Sequence, residues 1–144
     1  MRICSLLPGA TEIAFALGLG DEIVGVTHEC DHPADAQYKP IVVKSVIDSK
    51  RMSGAEIDRK VAELLQAGKG LYYIDEIAFV DAAPDVILTQ GLCEVCALDY
   101  KEVVKAAAAL AHQPKIVSLN PHSLPEILDD IRRVGAATGR SGAA

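Results

Sequence analysis

The segment at residues 2–12, R-I-C-S-L-L-P-G-A-T-E, constrains the fold of this chain more than any other. Residues 2–7 are mostly apolar and show no polar alternation, which predicts a strand covered on both faces in a parallel sheet. Pro8 cannot donate a ladder hydrogen bond and Gly9 permits a sharp turn, so we expect the strand to end there.

A helix is expected to follow this turn, because apolar residues recur at helical spacing from Ile13 onward. We predict that it begins at Ala10 or Thr11. In open α/β sheets, ligands bind where strands end and helices begin, since free amide groups and the positive helix end point there. The alternative is a strand-to-helix turn with no ligand. The candidate ligand contacts here are Pro8, Gly9, Ala10, Thr11 and Glu12.

Further strands and helices alternate along the chain. Strands are predicted at residues 23–27, 41–44, 86–89 and 116–119, and residues 71–74 form a strand or pair only locally. Helices are predicted from Ser53 to Gly68, over 99–111 and after Ser123, while residues 77–80 are either a short helix or irregular. Such alternation predicts an α/β fold with a Rossmann-like parallel sheet flanked by helices.

The helix after Ser53 carries two signals. Ser53 and Glu56 have the spacing of a capping box, in which each side chain bonds the other residue's backbone amide. Apolar residues at helical spacing predict a buried face made of Ile57, Val61, Leu64 and Leu65.

Composition and charge restrict the class of protein. A chain of 144 residues, half of them hydrophobic, is long enough for one domain with its own core. The net charge of −6, without a basic cluster, argues against a nucleic-acid surface. No apolar run reaches the length of a transmembrane helix. Met1 directly precedes the first strand without a signal peptide, so the chain is either cytoplasmic or written here without a leader.

The sequence gives little support for an enzyme. It contains no Gly-x-Ser-x-Gly, no P-loop and no Gly-x-Gly-x-x-Gly after a strand. The nearest candidates for acid–base chemistry are the scattered carboxylates Glu12, Asp31 and Glu94, which do not form a recognisable pair. We therefore expect no catalytic residues.

Cys93 and Cys96 form a Cys-x-x-Cys pair after the predicted strand at 86–89. A helix N-terminus beside them would favour a thiolate and thus redox chemistry or metal binding. Glu94 between them would oppose a thiolate by its charge. A part in a ligand loop, a redox or metal role, and inert packing all remain open.

The loop at residues 28–32 holds four potential metal ligands, His28, Cys30, Asp31 and His32. Zinc sites use these residue types, and Cys93 and Cys96 could complete such a site. However, Pro33 favours a loop over the helix on which two histidines four residues apart would share one ion. The alternative is a polar loop that rims a cleft. The metal set left open is His28, His32, Cys93 and Cys96.

Four stretches together resemble a known family. They are S-L-L-P-G-A-T-E-I at 5–13, E-I-V-G-V-T at 22–27, C-D-H-P at 30–33 and A-P-D-V-I-L-T-Q at 83–90. This combination resembles the class III periplasmic binding proteins, and within them the cobalamin-binding branch that serves ABC transporters. The L-C-x-V-C-A pattern around Cys93 is also similar to that branch.

The resemblance implies a two-lobed protein of about twice this length whose lobes are joined by one long helix. Residues 1–122 are then the N-terminal lobe, and residues 123–144 are the start of the helix between the lobes. It further implies a periplasmic or cell-surface location, an ABC transporter permease as partner, and cobalamin or a related corrinoid as ligand, with no tightly bound cofactor. A metal- or redox-active Cys-x-x-Cys protein and a protein-interaction lobe without a small ligand are the alternatives.

The resemblance also assigns residues. It places the ligand against the turn after the first strand and against the loops at 28–32 and 91–96, which adds His28, Glu29, His32, Gly91 and Cys93. Glu56 resembles the glutamate that docks on transporter arginines, although it also suits the capping box. The face toward the missing lobe would be uncovered and could pair two chains as a homodimer. Its apolar stripe is Leu124, Ile127, Leu128, Ile131 and Val134.

Overall fold

The computed structural model describes residues 1–49, 51–91 and 98–144. Within these ranges the chain forms one six-stranded sheet with helices on both faces, which confirms the predicted α/β class. The strands are β1 Ile3–Ser5, β2 Ile23–Thr27, β3 Ile41–Ser45, β4 Tyr72–Ile74, β5 Val86–Thr89 and β6 Lys115–Ser118. The helices are α1 Pro8–Ala16, α2 Gly54–Gln66, α3 Glu76–Ala82, α4 Tyr100–Ala108 and α5 Leu124–Thr138, with 3₁₀ turns at Gly20–Glu22 and Ala34–Tyr38.

The strand order in the sheet is β4-β3-β2-β1-β5-β6. The chain runs outward from β1 on one side and then returns to place β5 on the other side of β1. The junction of β1 and β5 is therefore a topological switch point, where the loops after two neighbouring strands diverge. In α/β sheets the crevice at such a junction, outside the carboxyl ends of the strands, is the usual place for a ligand.

Strand β4 departs from the prediction of a wholly parallel sheet, because it pairs with β3 in the antiparallel direction. A parallel connection needs a crossover helix that packs on a face of the sheet. Helix α2, which links β3 to β4, has no buried side chain. It therefore does not carry the chain back across the sheet, and β4 starts near the edge where β3 ended.

The prediction that the apolar face of α2 is buried is accordingly wrong. Ile57, Val61 and Leu64 are only half-buried, and Leu65 is exposed. The capping box at the start of the helix is confirmed. The Glu56 carboxylate accepts from the Ser53 amide at 2.7 Å and from the Ser53 hydroxyl at 2.7 Å, and these bonds, the hydroxyl first, hold the pKa of Glu56 below its usual range.

The turn after β1 is tighter than we predicted. Strand β1 ends at Ser5, and α1 begins at Pro8 and not at Ala10 or Thr11. Proline suits the first turn of a helix, because its missing N–H would have no partner there and its fixed φ is already helical. Gly9 therefore lies inside the first turn of α1.

The two faces of the sheet bury separate cores. One core packs α1 and α5 on the sheet through residues such as Ala14 and Val134. The other packs α3 and α4 through residues such as Phe79 and Val103. None of the helices in the described ranges is both long enough and apolar enough to cross a membrane.

Helix α5 meets two predictions in part. Ser123 lies at the N-cap position, but its hydroxyl donates to the Glu126 carboxylate at 2.9 Å, and no side-chain cap bond to the backbone forms. The apolar stripe divides along the helix. Leu124, Ile127 and Leu128 are exposed, whereas Ile131 packs against the core and Val134 is fully buried. The division of the chain between residues 122 and 123 stays a prediction.

Cys4 lies in a closely packed part of the second core. A Cβ atom on Gly25 would lie 2.8 Å from the Cys4 sulfur and 2.7 Å from Val42 Cγ1, so only glycine fits between these side chains. Burial raises the pKa of the Cys4 thiol from 9.0 to about 12, against the smaller opposing effect of the Arg2 charge. The thiol is thus protonated in the folded state at every ordinary pH.

This burial predicts that Cys4 makes folding sensitive to alkali. Above pH 9 the unfolded thiol loses its proton while the folded one keeps it, so the unfolded state binds fewer protons and stability falls as pH rises. The loss is about 1.4 kcal/mol per pH unit up to the folded pKa. Urea unfolding of the wild type and of Cys4→Ala at pH 8, 9 and 10 measures it. We expect the stability advantage of the wild type to shrink with pH, and a constant difference would contradict the prediction.

Candidate functional site

Every parallel strand of the sheet ends on a hydroxyl side chain. The terminal residues of β1, β2, β3, β5 and β6 are Ser5, Thr27, Ser45, Thr89 and Ser118. These ends lie along one edge of the sheet, where helix α1 also begins. The predicted ligand surface belongs to this edge, and its geometry is set by the polar groups that the strand ends place there.

A buried chain of hydrogen bonds joins three segments at this edge. The Thr11 hydroxyl on α1 donates to the Ser5 hydroxyl on β1 at 2.7 Å and also lies 3.2 Å from the Leu7 carbonyl oxygen, to which the Ser5 hydroxyl donates at 3.2 Å. The Cys30 sulfur, from the loop after β2, lies 3.1 Å from the Thr11 oxygen. Ser5, Thr11 and Cys30 are all buried.

The number of protons available sets the donor-to-acceptor direction of these hydrogen bonds. Each hydroxyl carries one proton, so if Thr11 donates to Ser5, it can only accept from Cys30. The run is then Cys30 S–H to Thr11 O–H to Ser5 O–H to the carbonyl of Leu7. Burial, the largest effect, raises the pKa of the Cys30 thiol; the contacts of its sulfur with the Thr11 side chain and the Thr27 backbone act in the opposite direction, and the nearby carboxylates Asp31 and Glu12 add to the rise. A protonated thiol is the species that this arrangement needs.

His28 directly follows β2 and already has partners at both ring nitrogens. Its Nε2 lies 3.0 Å from a Glu29 carboxylate oxygen, and its Nδ1 lies 3.2 Å from the Val43 carbonyl oxygen. The ring also stacks at a tilt on Tyr72, with 5.8 Å between the centroids. The ring is thus held in one orientation at the side of the loop, half-buried.

The predicted ligand contacts differ in exposure. Gly9, Glu12, Glu29, His32 and Gly91 are exposed, while Pro8 and His28 are half-buried. Ala10 and Thr11 are buried, so their side chains support the surface from below. Cys93 and Cys96 lie outside the described residues.

Gly91, at the start of the loop after β5, is fixed by a residue that the sequence did not single out. Its amide donates to Asn120 Oδ1 at 2.7 Å, and the Asn120 amide donates to the Ser118 hydroxyl at 3.3 Å. A Cβ atom on Gly91 would lie 3.0 Å from atoms of both side chains. The position of Asn120 just after β6, at the same sheet edge as the loop, is the signal that could have revealed it.

Within the described ranges, no group of three His, Cys, Asp or Glu side chains is placed to hold a metal ion. In the loop at 28–32, Cys30 points into the core while His32 is exposed. The alternative metal site needs Cys93 and Cys96, which are outside those ranges, so it stays a prediction.

A separate groove of about 780 Å³ lies along the β4 edge, between the end of α2 and helices α3 and α4. Its walls combine aromatic side chains such as Tyr72 and Phe79 with charges of both signs such as Lys105 and Glu102. Of the predicted ligand contacts that the structure describes, none lines it. The groove and the edge at the β1–β5 junction are therefore distinct features.

Comparison with known proteins relates the chain to vitamin B12-binding proteins. No model of a protein family matches it. It is 34% identical over 94 residues to the vitamin B12-binding protein of Vibrio cholerae, an alignment that covers 54% of this chain and 34% of that protein. The chain thus spans about a third of the length of the curated relatives it matches.

Solved structures of periplasmic binding proteins share the fold over 99% of this chain. The periplasmic vitamin B12 binding protein BtuF of Vibrio cholerae matches with a TM-score of 0.67 at 23% identity, over 43% of its own chain. A possible iron-binding, periplasmic solute-binding protein of Staphylococcus epidermidis matches with a TM-score of 0.59 at 25% identity, also over 43% of its chain. The chain is thus similar in sequence to vitamin B12-binding proteins and shares the fold of periplasmic solute-binding proteins, of whose length it spans less than half.

Proposed function

We propose that the chain is the N-terminal lobe of a substrate-binding component of an ABC transporter, and that it binds cobalamin or a related corrinoid. The observation that carries this proposal is the likeness to vitamin B12-binding proteins, which extends over 54% of the chain. The switch point between β1 and β5 supports it, because the predicted ligand contacts collect at the edge where such folds bind ligands.

The chemistry of the exposed residues suits a corrinoid. The corrin ring is rimmed by amide groups, which need hydrogen-bond acceptors and donors. The carboxylates of Glu12 and Glu29 are exposed acceptors, although one oxygen of Glu29 already pairs with His28, and Gly9 in the first turn of α1 brings a backbone amide that has no intrahelical partner. A large flat ligand also suits the surface at Pro8 and Gly9, because these residues have no long side chains that project from it.

A binding role without catalysis accords with the relatives, which are named for ligand binding. The alternative is a metal- or redox-active protein built on Cys93 and Cys96. Zinc bound in stoichiometric amount, or a disulfide that titrates reversibly, would favour that alternative. Both can be measured on the purified chain and on a Cys93→Ser/Cys96→Ser variant.

Ligand binding by this chain alone is expected to be weak. If a second lobe contributes half of the contacts, this chain alone lacks that half of the binding free energy. The affinity falls tenfold for each ~1.4 kcal/mol lost, so a micromolar site becomes millimolar. Titration with cyanocobalamin, followed by NMR shifts of the backbone amides, tests this. We expect saturable shifts at residues 9–12, 28–32 and 91.

The matched variants are Glu29→Gln at the proposed surface and Glu63→Gln on the exposed side of α2. Glu29→Gln should reduce the affinity by about tenfold, because a charge-assisted hydrogen bond becomes a neutral one. Glu63→Gln should leave it unchanged. The corrinoid proposal fails if no amide shifts at millimolar cyanocobalamin, or if the shifts map to the groove beside β4.

Docking on the permease is proposed for Glu56. Its carboxylate is exposed, and the lowered pKa keeps it ionised at neutral pH. Glu56→Gln retains an oxygen that can accept from the Ser53 amide, so the helix cap should persist while the charge is lost. We expect weaker association with the transporter, with the largest loss at low salt. An unchanged affinity at low salt would leave Glu56 with its capping role alone.

Self-association is proposed through the exposed part of α5. Leu124 is 70% exposed, Leu128 is 49% exposed and Ile127 lies between them, which makes an apolar patch of the kind that favours pairing. Sedimentation should show a dimer that grows with concentration and dissociates in a Leu124→Ser/Leu128→Ser variant. A wild type that stays monomeric at high concentration would rule this pairing out.

A further inference from the structure

We propose that the buried hydrogen-bond chain of Cys30, Thr11 and Ser5 is a positioning device that holds the loop at 28–32 and the first turn of α1 as one rigid surface. This inference rests on the proposed function, since that surface is the one assigned to the corrinoid. None of the three side chains contacts the ligand in this scheme. They act by fixing the exposed residues on either side of them.

The three residues belong to segments that would otherwise be independent. Ser5 ends β1, Thr11 lies in the first turns of α1, and Cys30 is separated from Thr11 by 19 positions along the chain. Thr11 is the central member, because its one oxygen meets both Ser5 and Cys30, at 2.7 Å and 3.1 Å. Its hydroxyl is fully buried, so no solvent could replace a lost partner.

The exposed residues whose positions depend on these hydrogen bonds lie next to the two ends of the hydrogen-bond chain. The run of hydrogen bonds finishes at the carbonyl of Leu7, directly before Pro8 and Gly9. At the other end, Cys30 lies between the exposed residues Glu29 and Asp31, with its own amide bonded to the Thr27 carbonyl at 3.0 Å. A shift of the Thr11 hydroxyl would therefore move both ligand-facing segments relative to each other.

The main test replaces Thr11 by Val, which preserves the shape of the side chain and removes its hydroxyl. The chain offers a matched control in Thr138→Val. Thr138 is also a buried threonine, but its hydroxyl donates only within α5, to the Val134 carbonyl at 2.8 Å. Because it lies at the far end of α5 from the ligand edge, the same chemical change there should reduce stability without touching the surface.

The first measurement uses amide hydrogen exchange of the ligand-free protein. In Thr11→Val, we expect the Cys30 amide and its neighbours at 29–32 to exchange about tenfold faster than in Thr138→Val, as the loss of one net hydrogen bond implies. Thr11→Ser, which retains the hydroxyl, should restore slow exchange. Exchange in Thr11→Val within twofold of the control would overturn the coupling.

The second measurement is cyanocobalamin affinity. Thr11→Val and Cys30→Ala should weaken it about tenfold, whereas Thr138→Val should leave it within twofold of the wild type and Cys30→Ser should recover most of it. Faster exchange with unchanged affinity would overturn the positioning role. If the wild type itself does not bind, the proposed function fails, while the exchange result still decides whether the three residues couple the two segments.

Discussion

Strand β1 holds the two halves of this fold together, although it is only three residues long. It pairs with β2 on one side and with β5 on the other, so two of the five ladders of the sheet meet on Ile3, Cys4 and Ser5. All three side chains are fully buried. Ile3 belongs to one core and Cys4 to the other, which means that the packing of both faces is transmitted through one segment. The third residue, Ser5, starts the polar network of the ligand edge.

Much of the fold could be predicted from the sequence, because its signals are local. Strands β2 and β5 have the predicted bounds, since short apolar runs between turn residues leave little freedom. The capping box of Ser53 and Glu56 also forms as expected, because both partners lie within one helical turn. The predicted start of α1, at Ala10 or Thr11, was two or three residues too late. The helix starts at Pro8, and a proline is equally compatible with the end of a strand and with the first residue of a helix.

What the sequence could not show depends on contacts between distant segments. The direction of β4 follows from the way α2 avoids the face of the sheet, and the apolar pattern of α2 predicted the opposite. Cys30 read as a potential metal ligand because of its neighbours, whereas its burial and its bond to Thr11 come from the meeting of α1 with the loop after β2. Asn120 carried no local signal. Its role becomes visible only when β6 is placed beside β5.

Among the α-helices of the described residues, α2 alone has no fully buried side chain. Its apolar side chains are at most half-buried, so tertiary packing adds less to the free energy that keeps its 13 residues helical than it does for a helix with a buried face. Isolated helices of this length are marginal in water, and the bonds between Ser53 and Glu56 are then a large share of what sustains this one. The helix should open and close many times during the life of the folded sheet, as a separate unit of local unfolding. Substitutions on α2 thus alter its own helical population while the β1-centred core retains its stability.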